Sequence, residues 1–182
     1  MCIRDRSKVW TWRGLVTFYT VFVIDLASRR VQILGSTPHP EALFMQQVVR
    51  TLGMAEEAMA PAPVPDVLLC DRDKKWSGDV RRRLHEAGIH VVLTPERAPN
   101  VNAYAERFVR SIKEECLDRL IPLGDRHFRR AIAEYVAHYH AERNHQGLEN
   151  RLISGEPAIT MTGRVRRRPR LGGLLNFYRR AA

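Results

Sequence analysis

The chain has 182 residues, 45% of them hydrophobic, enough for one good core and too few for several domains. Thirty Lys and Arg against twenty Asp and Glu leave a net charge of +10, which points to a polyanionic partner, nucleic acid before membrane. No apolar run reaches the length of a bilayer span and no signal peptide is visible, so a cytoplasmic protein without a membrane partner is expected. Cys2, Cys70 and Cys116 are too scattered for a zinc site or a disulfide frame.

Residues 1–7, "MCIRDRS", share no periodicity with the residues after them and are expected to be a non-native start. "KVWTWRGLVTFYTVFVID" reads as a β-hairpin turning at Arg13-Gly14, and "VQILGS" as a third antiparallel strand. Leu43, Val48, Val49 and Leu52 come next at helical spacing, with Pro40 suited to a helix start. "AEEAMAPAPVP" is a loop. "DVLLC" is short and wholly apolar, as expected of a strand buried on both faces. A helix closed by Gly88 and a fifth strand, "IHVVLT", come after it. Two long helices are predicted over 102–120 and 126–142. A meander followed by strands alternating with helices predicts an α/β domain with one mixed five-stranded sheet. Residues 161–182 form a basic tail whose last twenty residues hold seven arginines and no acid.

Asp71 ends the apolar fourth strand, where α/β sheets place their ligands. Alone, such an acid is most simply a solvated strand end. In "VNAYAERFVRSIKEECL", Ala105, Phe108, Val109, Ile112 and Cys116 share one helical face, and Asn102, Glu106, Arg110 and Lys113 form a stripe beside it. The plain reading of that stripe is an i,i+4 pair between Glu106 and Arg110, worth a few tenths of a kcal/mol. The chemical reading is that Asp71 and Glu106 hold a hard divalent cation through carboxylate oxygens while Arg110 and Lys113 face phosphates.

Three stretches, "LLCDRDKKW", "TPERAPNVNAYAERFVRSIKEECL" and "YHAERNHQGL", resemble the catalytic core of retroviral-type integrases and bacterial insertion-sequence transposases. The resemblance covers residues 8–160, and "VFVIDLASRRV" strengthens it. It implies a ribonuclease H-like fold and an Asp, Asp, Glu triad holding two Mg²⁺ or Mn²⁺ ions. Asp71 matches the second acid, and Glu106, 35 positions on, matches the third. It further implies DNA as partner, in element ends and target, with Asn102, Arg110 and Lys113 as DNA contacts. A homo-oligomer acting on the bacterial nucleoid is expected. The first acid of the family lies on the first strand, which puts it near Ile3, inside the suspect start. Alternation along that strand sets residues 3 and 5 on one face, two residues or about 7 Å apart. The chain therefore reads as a core whose first carboxylate has been cut away, with Asp5 and Asp25 as the other acids to weigh. Two rival readings stand beside it: a DNA-binding or assembly module without catalysis, and a nuclease that only hydrolyses. The histidines of "HYHAERNHQGL" are spaced so that no two zinc ligands share a helix face, and the resemblance implies a turn that packs on the core there. The arginine tail is expected to act as a phosphate-binding arm.

Overall fold

The computed structural model describes residues 2–53, 66–73, 75–96, 99–155 and 162–180. The proline-rich loop expected after the first helix lies outside them. Strands β1 (Cys2–Thr11), β2 (Gly14–Ile24) and β3 (Val31–Thr37) form the antiparallel meander. Helix α1 (Ala42–Gly53) leads to β4 (Val67–Cys70), α2 (Gly78–Glu86) and β5 (His90–Leu93). Helices α3 (Ala103–Glu115) and α4 (Gly124–Ala141) complete the body. The strands line up as β3-β2-β1-β4-β5, with β4 parallel to both β1 and β5. The mixed five-stranded sheet is present, but it is not the sole sheet. Residues of the basic tail form a second, two-stranded one from β6 (Val165–Arg170) and β7 (Leu175–Arg180).

Side-chain alternation sorts the strands' apolar residues onto two faces. Val9, Phe18, Phe22 and Ile24 pack against Ala105, Phe108 and Ile112 of α3 and Phe128, Ile132 and Tyr135 of α4. Val21, Leu34, Leu68 and Cys70 pack on the opposite face against Met45, Val48 and Leu52 of α1 and Val80 and Leu84 of α2. Among the described residues no helix is long and apolar enough to cross a membrane.

Two boundaries differ from those expected of the sequence. The hairpin turns at Trp12-Arg13, because Thr11 pairs with Gly14 and the Thr11 hydroxyl donates to the Gly14 carbonyl at 2.9 Å. Gly14, at φ +95°, is the first residue of β2 and supplies the left-handed step into the strand. Residue 3 is consequently opposite Phe22, one place from Val23. Helix α3 stops at Glu115, since Cys116 leaves helical geometry at φ −134°, ψ −70° to bury its thiol. The first arm begins at Cys2, next to the residue 3 expected of it, and Cys2 to Ser7 pair with β2 along their length.

Candidate active site

Cys2 pairs with Cys70 in the parallel β1–β4 register, and that pair closes the carboxyl end of β4. Asp71 is the next residue. Leu69 packs against the α3–α4 cluster, whereas Trp76, which bonds Asp71, belongs to the α1–α2 cluster. The carboxylate thus lies at the rim of the sheet. It is held there by three donor contacts: Lys75 Nζ gives 2.8 and 3.1 Å contacts to its two oxygens, and Trp76 Nε1 donates at 2.8 Å. The Lys75 ammonium also lies 3.3 Å from Asp73, and the Lys75 backbone N–H donates to Asp73 Oδ1 at 3.1 Å. Lys75 is a cation with a side chain only 1% exposed, enclosed by two acids. The charged loop after the strand is therefore inward-folded, anchored by the buried indole of Trp76. Arg72 ties it to the end of β5, donating to the Thr94 carbonyl at 2.9 Å and pairing with Glu96 at 3.1 Å.

Glu106 is exposed in the first turn of α3, one residue after buried Ala105. A carboxylate is favourable there, at the positive end of the helix dipole. The Glu106–Arg110 pair does not form, and Arg110 is exposed. Lys113, two turns after Glu106, reaches across to β1 and bonds Asp5 at 2.7 Å. Asp5 is mostly buried, so the strand acid and the helix lysine neutralise each other. Asn102 occupies the cap position of α3 without capping it, and its Oδ1 is buried with no hydrogen-bond partner among the described residues. Among the predicted DNA contacts, then, Arg110 is solvent-facing, Lys113 is engaged by Asp5, and the Asn102 oxygen is turned inward.

Asp25 serves the backbone. Its Oδ1 accepts from the N–H groups of Ala27 and Ser28 at 2.7 and 2.8 Å, closing the turn before β3. The Ser28 hydrogen bond holds its pKa below the ordinary aspartate value. The histidines are structural. His140 Nε2 accepts from the Val31 N–H at 3.0 Å, and burial pushes its pKa down to about 4, so the ring is neutral. His145 Nε2 meets the Tyr139 carbonyl at 2.7 Å, and His138 Nδ1 meets Glu142 at 2.9 Å. Burial drives the thiols of Cys70 and Cys116 up to about 12, which makes them inert. Among the described residues no three His, Cys, Asp or Glu side chains are grouped to hold a metal ion.

Comparison with known proteins adds a family match over part of the chain and a likeness of fold. Residues 87–152 match the integrase core domain family. That segment runs from the end of α2 through α4 and includes Glu106, Arg110 and Lys113. No curated protein matches the chain. Among solved structures, a chain of the cryo-EM structure of the simian T-cell lymphotropic virus intasome in complex with PP2A regulatory subunit B56 gamma superposes at TM-score 0.57 with 11% identity. The match covers 97% of this chain and 65% of that one. At that identity the likeness concerns the fold alone, an α/β sheet flanked by helices.

Proposed function

We propose that this protein acts on DNA as an integrase or transposase of the bacterial insertion-sequence kind, cutting a phosphodiester and joining the freed 3′-hydroxyl to a target strand. The observation that carries the reading is the placement of two acids. Asp71 ends a central parallel strand, and Glu106 opens a helix packed on the same sheet beside β1. The integrase core match over residues 87–152 supports it, as does the intasome-like fold.

The donor set suits a hard divalent cation such as Mg²⁺ or Mn²⁺. Asp71 and Glu106 would hold it, and Lys75 already sets a positive charge against Asp71. A metal bound there would polarise the phosphate oxygens during the displacement. The chain's own residues fix the acids and the substrate. Trp76 and Lys75 fix the orientation of Asp71. Arg110 and Lys113 on the stripe of Glu106 draw the DNA backbone toward it, Lys113 from its place on Asp5. A two-ion site calls for a third carboxylate, which the family resemblance puts near position 3, one residue past the Cys2–Cys70 pair. Ile3 stands there, which favours a second reading of this particular chain: a DNA-binding assembly subunit that does not cut. Joining two element ends to a target also calls for more than one copy of the chain.

The test is a gel assay of labelled duplex with a free 3′-hydroxyl, in Mn²⁺ and in EDTA, for the parent chain, Asp71→Asn and Glu106→Gln. Metal-dependent joined product lost in both variants supports the enzyme. Metal-dependent nicking without joining supports the nuclease, and DNA binding without either supports the assembly subunit. Joining that survives both substitutions would remove these acids from the chemistry.

A further inference from the structure

The most basic part of the chain is a folded ribbon. β6 and β7 pair in antiparallel register from Val165↔Arg180 to Arg170↔Leu175. Opposed residues share a face, so Arg166 with Arg179, Arg168 with Phe177, and Arg170 with Leu175 line one side. The inner end of that side is built into the body. Leu175 is buried in the α3–α4 cluster, and Arg170 gives Nε and Nη2 to the two oxygens of Glu142 at 2.8 and 2.9 Å. Arg168 comes within 3.5 Å of the same carboxylate, whose side chain is 2% exposed. Breaking such a buried pair is strongly destabilising, so the ribbon is a fixed part of the fold.

The outer end is different. Arg166 and Arg179 stand directly opposite each other, both exposed, and neither has an acidic partner among the described residues. Like charges so placed destabilise a strand pair. An anion between them removes that cost. Two adjacent guanidinium forks suit a phosphate, which accepts bidentate hydrogen bonds from each.

We propose that the β6–β7 ribbon is a nucleic-acid backbone clamp, in which Arg166 and Arg179 grip one phosphate while the Glu142–Arg170 pair fixes the clamp to the core. This rests on the reading of DNA as the partner. It also divides the seven arginines of the segment, because Arg170 is spent on Glu142 and is not a phosphate contact.

The experiment measures fluorescence anisotropy of a labelled 20-base-pair duplex between 50 and 300 mM NaCl. The parent chain is compared with Arg166→Gln/Arg179→Gln and Arg166→Lys/Arg179→Lys. Loss of one phosphate contact lowers the slope of log affinity against log salt by about 0.9 and weakens binding roughly tenfold. The lysine pair recovers the slope but not the full affinity, because ammonium groups cannot fork. Without DNA, the glutamine pair melts at or above the parent temperature, since a repulsion has gone. A lower melting temperature would mark the pair as structural and overturn the clamp. So would a glutamine pair that keeps the parent affinity and slope while the parent binds duplex. A parent chain that binds no duplex would overturn the DNA reading itself. Binding to phosphatidylserine vesicles alone would assign the ribbon to a membrane and also overturn the clamp.

Discussion

Replacing Ile3 by Asp should turn the rim of the sheet into a metal-dependent element. Cys2 opposes Cys70, so position 3 falls beside Asp71 on a neighbouring strand, about 4.8 Å away in backbone terms. Two carboxylates about 5 Å apart at an effective dielectric near 20 repel by about 3 kcal/mol. Lys75, 2.8 Å from Asp71, offsets part of this and leaves a cost of about 2 kcal/mol. For a domain of this size that lowers the melting temperature by roughly 4–8 °C in EDTA. A divalent ion at a hundred times its Kd restores about 2.7 kcal/mol. Thermal melts of Ile3→Asp in EDTA and in MgCl₂ should therefore differ by several degrees, and the parent should respond less. The variant should also gain metal-dependent strand joining over the parent. Ile3→Asn is the control for shape. If the asparagine variant melts and responds to Mg²⁺ as the aspartate variant does, the register argument fails.

The remaining expectations are simpler. Asp5→Asn in the Ile3→Asp background should leave joining unchanged, since Asp5 is engaged by Lys113; loss of joining would make Asp5 the first acid. Lys75→Met should destabilise the fold by about 2 kcal/mol in urea titrations, below the usual range for a broken buried pair because Asp71 and Asp73 are each about a quarter exposed; a change under about 0.5 kcal/mol would show that the lysine is dispensable. His140 has its folded pKa lowered from 6.5 to about 4, so the unfolded chain binds the extra proton between those values. Its contribution is fully present above pH 6.5 and is lost as pH falls toward 4, about 3 kcal/mol in all. His145, lowered for the same reason of burial, acts in the same direction. Denaturation at pH 7 and pH 5 should thus separate the parent from His140→Gln, and parallel pH profiles would refute the assignment.

Much of this architecture can be read from one sequence, because local patterns carry it. The strand of Asp71 is visible as four apolar residues, and the helix of Glu106 as a clean periodic face. What escapes depends on distant partners or on residues without alternation. The turn is misplaced to Arg13-Gly14 because a glycine with positive φ looks like a turn residue even when it opens a strand. The arginines of β6 fall on both faces of the ribbon, so no period of two marks it, and its Glu142 partner lies 28 residues away from Arg170. Lys75 looks like part of a solvated charge run. Its burial comes from Trp76, whose indole carries the loop inward, and an aromatic at the end of a charge run is the signal that could have found it. The stripe of Glu106, Arg110 and Lys113 is visible in the sequence, but the partner that Lys113 takes on β1 is not.

The five-stranded sheet is joined at its middle by very little. The meander β1–β2–β3 and the parallel pair β4–β5 are each laddered along their strands, yet Cys2 opposite Cys70 is the single register pair between them among the described residues. Position 3 and Asp71 are the next residues on either side of that rung. Position 3 and Asp71 therefore ride on separate ribbons joined by that one rung. Small shifts of one ribbon against the other, set by how Leu68, Cys70 and Val21 pack over α1 and α2, would change the spacing of position 3 and Asp71 without melting either half.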